Sequence, residues 1–253
     1  MITLPTAAAL AASILGTSFL SGIFGMAGAM ILMGILLAMM PLAAAMVLHG
    51  VTQMASNSWR AWVWRTHILW PAVAWYAAGG IAAALAFFAV QLVPSKPVTF
   101  ITLGALSFTG LLLPSRFAPN IMRRHDAVAC GALCTALQFI AGVSGPIFDV
   151  FFVRSDLDRK VIVATKAAIQ TLGHALKVTY FGQLLVGGTA EIAPVVMILA
   201  VSFAVAGTQL SRSVLDAISD AQFRNWSRGL IAATASIYLV HGIALLVSEQ
   251  KLV

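Results

Sequence analysis

Apolar stretches long enough to cross a bilayer recur from one end of the chain to the other, and this recurrence limits the fold more than any other feature. Eight can be read: 5–40, 42–64, 69–92, 98–114, 127–153, 161–186, 190–210 and 228–248. Short polar breaks separate them, at Arg65–His67, Ser95–Lys96, Ser115–Asp126, Arg154–Lys160, Gly187–Thr189 and Ser211–Asn225. Only 9% of the residues are charged, against about 25% in soluble domains, too little polar surface to keep such a chain in water. The expected fold is an all-α integral membrane protein. The net charge of +7 does not point to nucleic acid, because the basic residues sit in short loops between apolar runs. Met1-Ile2-Thr3-Leu4-Pro5 lacks the basic n-region of a signal peptide, so the first apolar stretch is expected to be retained. Cys130 and Cys134, four apart in one apolar run, suit packing better than a disulfide.

Two segments, 5–40 and 127–153, are too long for one span of about 20 residues and carry glycine punctuation in the middle. Gly25-Met26-Ala27-Gly28 interrupts the first and Gly142-Val143-Ser144-Gly145-Pro146 the second. Such breaks favour a re-entrant hairpin over a continuous helix. Loop charge supports the hairpin. If both segments return to the side they entered from, the loops at 60–67, 114–126, 154–160 and 211–228 share a face and hold eleven Lys/Arg, against two, Lys96 and Lys251, on the other. The positive-inside rule then puts the basic loops in the cytoplasm of a bacterial-type inner membrane and both termini outside.

A shift of 117 residues superposes the halves. It lays Gly25 on Gly142, Gly28 on Gly145 and Gln53 on Gln170, and also His49 on Lys166, Asn57 on His174 and Arg60 on Lys177. With a hairpin and three spans in each half, 1–117 and 118–253 are expected to form two inverted-topology repeats, the architecture of many secondary transporters.

The polar quartet that fixes this register is the main candidate for chemistry. His49, Gln53, Asn57 and Arg60 have spacing 4, 4, 3, and Lys166, Gln170, His174 and Lys177 repeat it. At about 100° per residue each set lies within an arc of about 80°, a single helix stripe. A lysine at mid-bilayer costs about 2.5–3.5 kcal/mol, so the stripes should face the interior and each other. Hydrogen-bonded helix packing is the alternative for the amides, and snorkelling for Arg60 and Lys177. Asp149 is the clear acid within a span, with Glu191 at a span edge, so the interior reads as cationic and short of countercharge, which suits a small anionic ligand. Helix N-termini exposed at Gly25, Gly28, Gly142 and Gly145 would add anion affinity; close packing through small residues is the other reading. Asp149 and His174 are candidate proton carriers, while an Asp149–Lys166 ion pair is the structural alternative. His241 reads as a packing residue, and His67 and His125 fall in basic loops. With no HExxH, nucleophile elbow or metal constellation in the sequence, no catalytic residue, metal or cofactor is expected, and an enzyme is disfavoured.

The run Phe19-Leu20-Ser21-Gly22-Ile23-Phe24-Gly25-Met26-Ala27-Gly28, its echo Phe139-Ile140-Ala141-Gly142-Val143-Ser144-Gly145-Pro146, and the helices through Gln53 and Ala164-Thr165-Lys166 resemble the TauE/SafE sulfite exporter (TSUP) family over nearly the whole chain. The resemblance implies outward transport of small anions, notably sulfite and organosulfonates such as sulfoacetate, across the bacterial inner membrane. Ala27 and Ala29 depart from the family's run of adjacent glycines, and its following proline is missing. A secondary anion transporter is therefore expected, with the lipid bilayer and a small anion as partners, no nucleic acid, and a homodimer as one candidate assembly. A passive anion channel and a non-transporting subunit that binds a partner or lipid are the alternatives.

Overall fold

The computed structural model describes residues 4–24, 26–112, 118–152, 155–186, 192–217 and 220–250, which hold helices and no strand. In chain order these are α1 (Leu4–Phe24), α2 (Met26–Met39), α3 (Leu42–Val63), a 3-10 turn (Arg65–His67), α4 (Trp70–Val90), α5 (Lys96–Leu112), α6 (Arg124–Ala141), α7 (Gly145–Val150), α8 (Arg159–Val186), α9 (Pro194–Ala217) and α10 (Asp220–Gln250). Prolines stand at the starts, where no hydrogen-bonded N–H is needed: Pro71 opens α4, Pro146 opens α7 and Pro194 opens α9. Several helices run on into segments that read as polar breaks. Arg159 and Lys160 belong to α8, and α9 and α10 take up most of Ser211–Asn225. Hydropathy marks the edge of the bilayer core, whereas helical hydrogen bonding continues into the interface.

Each long segment turns back on itself between its two helices, α1 and α2 in the first and α6 and α7 in the second. A Cβ on Gly28 would stand 2.1 Å from the Thr17 carbonyl oxygen and 2.5 Å from the Ser21 nitrogen. Such proximity requires α2 to fold back along α1 after residue 24. In the second half α6 ends on Gly142, whose φ of 80° is left-handed and favours glycine. Beyond α7 the chain is back where it entered, since the Ile121 N–H donates to the Phe151 carbonyl at 2.9 Å. Because the α1–α2 contact is made by backbone, Gly28→Val should lower the melting temperature of the detergent-solubilised protein by about 5–10 °C or remove the folded species. Gly16→Val is the control, as nothing lies within 4 Å of its added Cβ; thermal-shift and size-exclusion profiles report both.

Several helix pairings recur when the first five helices are exchanged for the last five, although the α2–α3 and α6–α8 packings have no comparable counterpart among the described residues. α1 packs on α9 as α6 packs on α4, α3 crosses α8, α5 crosses α10, and α3 meets α9 as α8 meets α4. The solvent preference of the surface is inverted relative to a water-soluble protein. Leu85, Val90, Ile198, Ile237 and Val240 are exposed, whereas His49, Gln53, Asn57, Gln138, His174 and Lys177 are buried. This distribution suits hydrocarbon outside and a polar interior. Thr6–Phe24, Trp70–Val90, Pro194–Ser211 and Asn225–Gln250 are each long and apolar enough to cross a membrane. The chain is a multi-pass membrane protein, and α3 and α8, which carry the polar stripes, are its inner helices.

One end is marked by indoles. All six tryptophans (Trp59, Trp62, Trp64, Trp70, Trp75 and Trp226) lie on segments flanking the basic loops. Arg65 sits 4.7 Å from the Trp62 ring, Arg124 4.1 Å from Trp75 and Lys160 5.5 Å from Trp64. Amphipathic rings and cations of this kind suit a membrane–water boundary.

Candidate functional site

α3 and α8 cross antiparallel with their stripes face to face. His49 meets Lys177 near one end, and Ser58 lies 3.5 Å from Thr171 toward the other. Between them, and closed laterally by both chain reversals and by α9, is a cavity of about 680 Å³, within the range of about 300–1,000 Å³ usual for small-molecule sites. Its α3 wall is Gln53, Asn57, Trp59 and Arg60, with Trp64 just past the helix end; its α8 wall is Arg159, Lys166, Gln170 and His174. The first reversal contributes Ser21, Phe24, Met26 and Ala29, the second Gln138, Ser144, Gly145 and Asp149, and α9 supplies Thr208 and Ser211.

Three cations and one carboxylate thus line the cavity. Lys166 forms an ion pair with Asp149, the structural alternative that the sequence offered, so this lysine is not an unneutralised cation. The acid lies 17 positions earlier on the short helix after the reversal, where no helical periodicity reveals the pairing. Arg60 and Arg159 line the same space and have no ion-paired or hydrogen-bonded partner among the described residues. Arg60 therefore faces the cavity instead of snorkelling away from it. Gln53 Nε2, Gln138 Oε1 and Ser21 Oγ are buried without a partner among the described residues, an arrangement that is costly unless something else satisfies them.

His49 and Lys177 do not line this cavity. Lys177 is fully buried; its Nζ donates to His49 Nδ1 at 2.8 Å and to the Gly142 carbonyl at 2.8 Å. His49 Nε2–H donates to the Ala29 carbonyl at 2.9 Å, which leaves Nδ1 as an acceptor and corresponds to the neutral Nε2–H tautomer. The layer ties α2, α3, α8 and the end of α6 together. It is also why Lys177 does not snorkel: its donors are used inside. On the cavity side His174 lies 5.5 Å from the His49 ring, with Gln138 Nε2 at 3.2 Å from its Nδ1. On the other side Phe87, Phe139, Tyr180 and Phe181 form an aromatic cluster, with Phe139 and Tyr180 stacked at 4.7 Å.

Of the glycines, Gly145 lines the cavity, Gly142 supplies the carbonyl to Lys177, and Gly28 packs on α1. Gly25 lies outside the described residues, as does Glu191. Cys130 and Cys134 are free thiols with sulfurs 3.9 Å apart, and His241 packs edge-on against Phe100 at 4.8 Å.

Sequence reasoning missed Ser21, Gln138, Arg159, Thr208 and Ser211. Ser21 and Gln138 were within reach, because the 117-residue shift lays one on the other. Arg159 was read as loop charge, and the two α9 hydroxyls carry no periodic signal.

A family model described as "Sulfite exporter TauE/SafE" matches residues 9–238. No curated protein and no solved structure matches the chain.

Proposed function

Because the chain belongs to the TauE/SafE sulfite exporter family, we propose that it is a secondary carrier that exports small anions, sulfite or an organosulfonate such as sulfoacetate, through the cavity between α3 and α8. The observation that carries this reading is the charge of the lining. Arg60 and Arg159 are unpartnered among the described residues, Lys166 has one carboxylate, and the buried donor Gln53 Nε2 is close by. Sulfite and sulfonates present several acceptor oxygens, and guanidinium forks match such oxygens in bidentate fashion.

Access is proposed to alternate, with the halves as inverted repeats. The helix pairs that recur between the halves, α1 on α9 as α6 on α4 and α3 on α9 as α8 on α4, support this. The closed layer at His49 and Lys177 argues for a carrier over a passive channel, which needs a continuous path. On the positive-inside rule the open end, beside Arg60, Trp64 and Arg159, faces the cytoplasm of a bacterial inner membrane, with both termini outside.

The test is counterflow in proteoliposomes. Radiolabelled sulfite or sulfoacetate should accumulate faster into vesicles preloaded with the unlabelled anion. Flux without such trans-stimulation, accompanied by measurable current, would favour the channel. Arg60→Gln should raise the apparent KM about tenfold, the cost of one charge-assisted hydrogen bond at about 1.4 kcal/mol per decade. An unchanged KM would remove Arg60 from the site.

A further inference from the structure

The two ends of the α3–α8 crossing are related by the 117-residue shift and differ in structure. Under the 117-residue shift Lys177 corresponds to Arg60 and His49 to Lys166. At the far end Lys177 and His49 are buried and bonded to each other, to Gly142 and to Ala29. At the basic-loop end neither counterpart does the same: Arg60 has no partner among the described residues, Lys166 holds Asp149, and both line the cavity. Packing is tight at the closed end as well, since a Cβ on Gly50 would stand 2.5 Å from Val178 Cγ2.

A molecule built from equivalent halves has a second arrangement, of comparable energy, in which the halves exchange these roles. We propose that the His49–Lys177 layer is the far-side gate of the carrier, and that Arg60 and Lys166 form the corresponding gate on the basic-loop side in the opposite state. The layer suits a gate because it joins both chain reversals to both inner helices through four polar groups. Each bond can be exchanged for one to water or substrate when the helices part, so opening strands no buried charge. In that state Lys177 and His49 would face the anion from the far side, as Arg60 and Lys166 face it here.

This inference rests on the carrier reading, and its test is chosen to stand apart from substrate identity. In a background lacking Cys130 and Cys134, single cysteines are placed at Met46 and Val163, which the 117-residue shift relates. Met46 is fully buried, whereas Val163 lines the cavity. An impermeant maleimide should label Val163→Cys from the basic-loop side and leave Met46→Cys nearly unlabelled from the far side. Adding Lys177→Met should raise far-side labelling of Met46→Cys by about tenfold and slow labelling of Val163→Cys, as a population shift demands. If both rates stay at their starting values in Lys177→Met, the layer is fixed scaffold and the proposal is overturned.

A second arm covers misfolding of that variant. The pair Gly50→Cys/Val178→Cys should cross-link on oxidation and abolish counterflow, with recovery on reduction. Undiminished counterflow in the cross-linked protein overturns the gate as well. A labelling switch in protein that moves neither sulfite nor sulfoacetate would uphold the gate and refute the substrate assignment alone.

Discussion

Lys166→Ala is expected to lower anion flux by about 10–100-fold, equivalent to a charge-assisted interaction of about 1.5–3 kcal/mol. Lys166 is the cation placed between the reversal that carries Asp149 and the cavity floor at Gln170 and His174. Its removal takes the lining from three cations and one carboxylate to two and one. It also leaves Asp149 facing the anion with no ammonium between them, so loss of attraction and gain of repulsion act in the same direction. The pair is not deeply desolvated, its side chains being 25% and 38% exposed, so the loss should stay below that of a fully buried pair. Lys166→Arg keeps the charge and should retain a substantial part of the flux. Proteoliposome uptake of radiolabelled sulfite or sulfoacetate is the measurement. The double variant Lys166→Ala/Asp149→Ala separates two roles. If it regains full flux, Lys166 serves only to neutralise Asp149, and its assignment to the anion fails.

What could be read in the sequence was whatever repeats along one helix or across the halves. Spacing of 4, 4, 3 put Gln53 and Asn57 on one face of α3 and Gln170 and His174 on one face of α8, because a helix turns about 100° per residue whatever surrounds it. Two of the punctuating glycines have a similarly local role: backbone packs on backbone at Gly28, and φ is positive at Gly142. Depth and pairing were not legible. Antiparallel crossing brings the start of one stripe to the end of the other, so His49 meets Lys177 and not its repeat mate Lys166. Which end is closed depends on tertiary packing, which the spacing of the stripes does not encode. The Asp149–Lys166 pair was one of two readings open for those charges, and tertiary folding decides for it; Arg159 was visible only as a loop charge, and folding puts it on the cavity wall.

With Asp149 taken as the proposed carrier of a coupling proton, Asp149→Asn is expected to make flux insensitive to an imposed pH difference while tightening anion binding. Asp149 is the one carboxylate on the cavity among the described residues, and it occupies Lys166. The other charged or titratable groups on that surface are Arg60 from α3 and Arg159 and His174 from α8. An anion that takes Lys166 displaces the carboxylate and leaves two negative charges close together. Protonation of Asp149 relieves this, so anion and proton should favour each other's binding, and the coupling must be reciprocal. In the native protein, acid on the side from which the anion moves should therefore accelerate flux. Asparagine is permanently neutral and cannot compete for the ammonium. Its variant should bind the anion about fivefold more tightly, near 1 kcal/mol for a partly exposed pair, and its flux should not respond to an imposed pH difference. His174→Gln tests the other candidate proton carrier, on the α8 wall. If Asp149→Asn keeps the full pH response and His174→Gln loses it, the proton travels on the imidazole, and the Asp149–Lys166 pair is structural.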